Sequence, residues 1–202
     1  EGRLRTNEIG VSTGLAWTPV GGEIMPLEVT ITKGKGSLSL TGQMGDVMKE
    51  SAMTALTWVQ ANAVSLGIDP DFYENSNVHI HIPQGAIPKD GPSARVALAT
   101  ALVSLLTKRP ISKNVAMTGE ITLRGNVLAV GGVREKSLAA LRAGIKIVVI
   151  PKQNKRELVE FPKYLLEKMT FIPVESIEEA LKVAFVTEKR ATSAPTKDII
   201  RL

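Results

Sequence analysis

Pro88-Lys89-Asp90-Gly91-Pro92-Ser93-Ala94, followed by the apolar run from Val96 to Leu106, is the stretch on which the reading of this chain turns. A tight Asp-Gly-Pro turn feeds a helix that is apolar nearly all round, the pattern of a helix covered on several sides. One serine stands at the junction. Its Oγ would lie near the unpaired amides and the positive end of a helix, which favour developing negative charge. A serine there is a candidate nucleophile, with oxyanion donors in the backbone around Ser93 and Ala94. Serine is also a common N-cap, and the segment alone favours that plainer role.

Working outward, Val78-His79-Ile80-His81-Ile82 alternates strictly up to Pro83, so a strand puts His79 and His81 on one face. They are the only two histidines in the chain. A catalytic zinc would need a third ligand, and no carboxylate sits at a recognisable spacing, so we expect no metal. Ahead of them, Gly14–Thr18, Leu27–Ile31 and Ser37–Leu40 read as an antiparallel meander of short strands. Glu28 falls between Leu27 and Val29 and faces away from them. Asp46 to Leu66 carries an apolar stripe and reads as a helix capped by Asp46 and stopped at Gly67.

After the serine helix, 114–123 reads as a strand that turns at Arg124-Gly125-Asn126 into 127–130 as a hairpin. Gly131-Gly132 opens a helix over 133–142, and Ile145–Ile150 is a buried-strand run. A short strand over 170–174 and a helix over 177–185 follow, with Ser176 in a capping-box-like position. Residues 1–8 read as a linker stub, 9–186 as one folded unit and 187–202 as a flexible tail. The chain begins at Glu1, which suggests a piece of a longer protein.

Composition narrows the classes. The 202 residues are 44% hydrophobic and 22% charged, ordinary for a globular protein, with no cysteine to form disulfides or thiolate metal sites. A reducing setting fits this, and we expect a cytoplasmic location. No apolar stretch approaches a bilayer-spanning length. The net charge is +5, but the basic residues are scattered and aromatics are few, which is weak support for a nucleic-acid partner.

Lys136 is the second informative residue. On a helix, Val133, Ser137, Ala140 and Gly144 form a small-residue face with Lys136 at its edge. Close approach of another element there would draw the amine into a dry crevice, where its pKa falls and it can act as a general base. Periodicity alone favours a surface lysine in an exposed pair with Glu135 or among Arg-rich neighbours. The segment Gly131-Gly132-Val133-Arg134-Glu135-Lys136-Ser137 is not a P-loop, because Glu135 replaces the glycine needed before the lysine.

Taken in order, Gly14-Leu15-Ala16-Trp17-Thr18 with Val20-Gly21-Gly22, His79–Pro83, Pro88–Ala94, Thr118–Gly125 and Val130–Lys136 resemble the C-terminal proteolytic domain of the ATP-dependent Lon protease family, in its bacterial form. The resemblance covers nearly all of residues 9–186. It implies an α/β (α+β) fold of mixed and antiparallel sheets packed with helices, related to a ribosomal-protein domain. It implies a serine endopeptidase with Ser93 as nucleophile, Lys136 as its partner and Thr118 orienting the lysine. Asp90, His79, His81 and Glu28 match family residues in or around the active site.

The same resemblance implies unfolded polypeptide as substrate, self-association into a homohexameric ring, and delivery by an AAA+ module. ATP and magnesium would belong to that module, and no cofactor is expected on this chain. Nucleic acid and membrane are not expected as partners. Two departures stand out: Arg95 where the family usually has glycine, and Ala129 where proline is common. Arg95 could narrow the cleft or pair with Asp90 or another acid. An alternative reading is therefore a catalytically impaired oligomerisation or binding module.

Overall fold

The computed structural model describes residues 6–83 and 91–186. Asp90 and the 187–202 tail lie outside the described residues. β1 (Val11–Thr18) and β2 (Gly21–Lys33) form an antiparallel hairpin. Along β2, Met25, Leu27 and Val29 are buried while Glu28 and Thr30 are exposed, so the period-two reading holds. β2 runs past its partner because its second half pairs on the other side with β4 (Ser76–His81).

β3 (Leu38–Thr41) corrects the expected antiparallel meander: it pairs in parallel with β4. The reason is the helix between them. α1 (Asp46–Ala61) carries the chain back along the sheet, and a helical crossover returns the next strand in the same direction. α1 also ends short of the expected Leu66. Asn62 closes it, its side-chain amide donating to the Trp58 carbonyl at 2.8 Å, a local bond that competes with helix continuation. Asp46 is the first helical residue and not the cap, which is Gly45 without a side-chain bond.

The serine segment divides into a 3-10 turn, Pro92–Ala94, and α2 (Arg95–Thr107). Every residue of α2 from Val96 to Ser104 is buried, as its all-round apolar pattern requires. The expected strand over 114–123 breaks at Thr118-Gly119. Only β5 (Val115–Met117) joins the main sheet, while β6 (Glu120–Ile121) and β7 (Val127–Leu128) make a separate ribbon. α3 (Val133–Arg142), β8 (Ile147–Pro151), α4 (Lys163–Lys168), β9 (Thr170–Val174) and α5 (Ile177–Ala184) complete the order. Ser176 caps α5, accepting from the Glu179 amide at 3.3 Å.

Among the described residues the main sheet has seven strands in the order β3-β4-β2-β1-β5-β8-β9, mixed in direction. Its two faces bury separate cores. Leu27, Ile80, Met117 and Val149 pack with α1, α2 and α5 on one face, while Leu15, Ala116, Val148 and Ile150 pack with α3 and α4 on the other. The alternation through β5 and β8 shows why those strands read as continuous apolar runs. The fold class is the expected α/β mixture. Glu8 bridges Ile111, which bridges Phe185, so the two ends of the folded unit are fastened side by side. No helix among the described residues is long and apolar enough to cross a membrane.

Candidate active site

β1 and β5 run parallel, with Gly14 opposite Met117, so their carboxyl ends open at one place. Crevices beyond such ends are where α/β sheets collect ligands. A cavity of about 410 Å³ lies there, lined among others by Ser93, Lys136, Glu120, Trp17, Met25 and Met48. Two helix beginnings converge on it, the turn before α2 and the first turn of α3.

Ser93 is half-buried in the 3-10 turn. Neither that turn nor α2 has a side-chain cap, so the plain capping role for Ser93 is not what the structure shows. Pro92 has no N–H, which leaves the Ser93 amide as the first donor of the turn. The backbone is held from below: the Gly119 amide donates to the Ser93 carbonyl at 2.9 Å, and the Val96 amide donates to the Gly119 carbonyl at 3.1 Å.

Lys136 is only 3% exposed. The expectation of a surface lysine paired with Glu135 is corrected, since Glu135 pairs instead with Arg134 at 3.1 Å. Lys136 Nζ donates to Thr118 Oγ1 at 3.1 Å. Burial pushes its amine down from 10.5 to about 8, against the carboxylate of Glu157, which pulls the other way. The cause of the burial is a backbone approach. A Cβ on Gly22 of β2 would lie 2.4 Å from the Glu135 carbonyl carbon and 2.8 Å from the Lys136 nitrogen. Only a residue without a side chain lets the first turn of α3 settle on β2, and that contact turns Lys136 inward.

Thr118 therefore ties the two candidate residues together. Its hydroxyl holds the lysine, and the next residue holds the serine turn. The break between β5 and β6, missed as a single strand in the sequence, is the structural basis for this. Ser93 and Lys136 share the cavity, but among the described residues Lys136 Nζ bonds Thr118 and not Ser93 Oγ.

His79 and His81 share one strand face as expected, and Thr41 Oγ1 bridges them, 2.9 Å from His79 Nε2 and 2.7 Å from His81 Nδ1. Glu28 stands opposite His81 on β2. Their neighbours Val29, Val78 and Ile80 face α1 and α2, so these three residues occupy the other face of the sheet and do not line the cavity. Among the described residues no group of three or more His, Asp or Glu is placed to hold a metal.

Arg95 does not line the cavity either. It pairs with an acid, as one of the expectations had it, and that acid is Glu120, 3.2 Å from Nη1. Sequence reading also missed Asn154. Its buried side chain accepts from the Val130 amide at 3.0 Å and donates to the Val130 carbonyl at 2.8 Å, bracing the cavity wall from behind. No local signal sets it apart from Gln153, the uncharged polar residue beside it in the same segment.

A family model described as the Lon protease (S16) C-terminal proteolytic domain matches residues 1–187. A Lon protease of Geobacter metallireducens is 56% identical over 187 residues, 93% of this chain and 23% of the relative. A Lon protease of Aquifex aeolicus is 58% identical over 183 residues, 90% of this chain and 23% of the relative. The chain thus spans just under a quarter of the length of these curated relatives. With the fold, the cavity and this match in agreement, the chain belongs to the family of Lon protease C-terminal proteolytic domains.

Proposed function

We propose that this chain is a serine peptidase domain in which Ser93 is the nucleophile and Lys136 the general base. The observation that carries the reading is Lys136 itself: an amine 3% exposed, held by the Thr118 hydroxyl and lowered to about 8, lining the same cavity as Ser93. A neutral lysine takes the proton from Ser93 Oγ as the oxygen attacks a peptide carbonyl. Backbone amides of the turn, beginning with Ser93, stabilise the oxyanion. The lysine passes its proton to the departing amine, and a water activated by the same lysine then releases the acyl group. Hydrogen bonds of this kind are often long before substrate arrives, so the missing direct Ser93–Lys136 bond is compatible with this chemistry.

The relatives are four times longer, so the rest of their activity comes to this chain as proposal. Unfolded polypeptides are the substrates, six copies close a ring around the cavities, and an AAA+ module with its own ATP and magnesium feeds them. The test is cleavage of an unfolded protein and of short peptides by the wild type, Ser93→Ala and Lys136→Ala chains. Both variants should lose turnover; cleavage retained in either one sinks the proposal.

A further inference from the structure

Arg95 spans the gap on either side of the serine turn. Its Nε donates to Ser51 Oγ on α1 at 3.2 Å, and its Nη1 donates to Glu120 Oε1 at 3.2 Å and to the Ile121 carbonyl at 3.3 Å. Ser51 is fully buried, and its hydroxyl also lies 3.4 Å from the Gly91 carbonyl and 2.9 Å from the Val47 carbonyl. One hydroxyl therefore touches the residue two before Ser93 and the residue two after it. A serine hydroxyl donates one hydrogen and accepts others, so Ser51 can take the Arg95 bond while donating to one of its two carbonyls.

We propose that Arg95 is a positioning residue for Ser93, its guanidinium tying the serine turn to α1 on one side and to β6 on the other. The proposal rests on Ser93 being the nucleophile. Three donors in a planar fork match three separately placed oxygens, a pattern a lysine cannot reproduce. The ion pair is largely shielded, with side chains 16% and 28% exposed, and it holds the Glu120 carboxylate at the cavity wall. Ser93 Oγ makes no hydrogen bond of its own among the described residues, so its aim depends on how firmly the turn is held. Small misplacements of a reacting atom lower turnover steeply while leaving substrate binding largely intact.

The experiment measures kcat and KM of the whole chain on a fluorogenic peptide, with thermal melts alongside, for Arg95→Gly, Arg95→Lys, Ser51→Ala and Ser93→Ala. Arg95→Gly should lose kcat by on the order of tenfold to a hundredfold with KM within about twofold. Added methylguanidinium should restore part of that loss, and sodium chloride at the same ionic strength should not. Arg95→Lys should stay close to Arg95→Gly. Wild-type or higher kcat in Arg95→Gly overturns the proposal, and so does a loss confined to KM or to melting temperature. Should Arg95→Gly fail to fold, Ser51→Ala decides: a several-fold drop in kcat supports the tie, and unchanged kcat overturns it. Turnover retained in Ser93→Ala would defeat the nucleophile reading itself. An inert Ser93→Ala beside a fully active Arg95→Gly defeats only the role of Arg95.

Discussion

Replacing Lys136 by methionine should make the domain inactive and, at neutral pH, more stable. The native amine has its pKa lowered from 10.5 to about 8 by burial. Below about pH 8 both folded and unfolded chains carry the proton, and the folded chain bears the whole cost of a buried ammonium. Between about 8 and 10.5 the unfolded chain binds more protons, so this lysine makes stability rise with pH across that window. At 1.36 kcal/mol per unit, the cost relieved is about 3 kcal/mol. Methionine keeps the length of the side chain and removes the charge. It also gives up the bond to Thr118 Oγ1, worth about 1 kcal/mol. The net expectation is a gain of about 2 kcal/mol at pH 7, or roughly 4–8 °C in melting temperature for a domain of this size. Paired urea and thermal melts of both chains over the range from neutral to strongly alkaline pH give the difference directly, other titrating groups cancelling between them. The gain should be constant below about pH 8, shrink as pH rises, and turn into a loss of about 1 kcal/mol, the Thr118 bond alone, by about pH 10.5. A difference that does not change with pH, or a methionine variant that is less stable at pH 7, would refute the argument that burial of this charge is what lowers its pKa.

As the proposed base, the same lysine should set the pH dependence of the chemistry. Peptide hydrolysis should rise with pH through an apparent pKa of about 8, with only about a tenth of the chain in the competent form at pH 7; an initial-rate profile that is flat across this range counts against Lys136 as base. Gly125→Ala should cost about 2–4 kcal/mol, because φ there is +81° and the new Cβ would lie 2.6 Å from Trp58 Nε1 and 3.0 Å from Ile177 Cγ2. Denaturant melts check it, and a loss under about half a kcal/mol would mean that the turn relaxes freely.

Much of this fold is legible along the chain because strands and helices impose local periods. The alternation in Val78–Ile82 and Leu27–Ile31, the unbroken apolar run in α2 and the cap at Ser176 each depend on residues a few positions apart. Ser93 was visible for the same reason, through the turn chemistry around it. The misplacements have non-local causes. β3 changed partner and direction because the chain crosses back through α1, which no pattern within Ser37–Leu40 encodes. The run 114–123 could not be divided by inspection. Its break at Thr118-Gly119 is set by amide bonds to the Ser93 and Val149 carbonyls and by the bond from Lys136, none of them sequence neighbours.

The amino-acid order by itself determined which elements form, placed a serine at the mouth of a buried helix and carried the family resemblance in a series of motifs. Tertiary structure alone decided what each of the chemically interesting side chains experiences. Lys136 is a base candidate and not a surface cation because Gly22, more than a hundred positions earlier, lets α3 sit against β2. Glu28, His79 and His81 lie on the far face of the sheet from α1 and α2, since strand pairing, and not proximity in sequence to Ser93, fixes where they point. Arg95, which looked like an obstruction beside Ser93, turns away to partners 44 and 25 residues distant. Periodicity is a local property of a chain, whereas burial, and with it the pKa and partner of a charged group, belongs to whatever the fold brings to cover it.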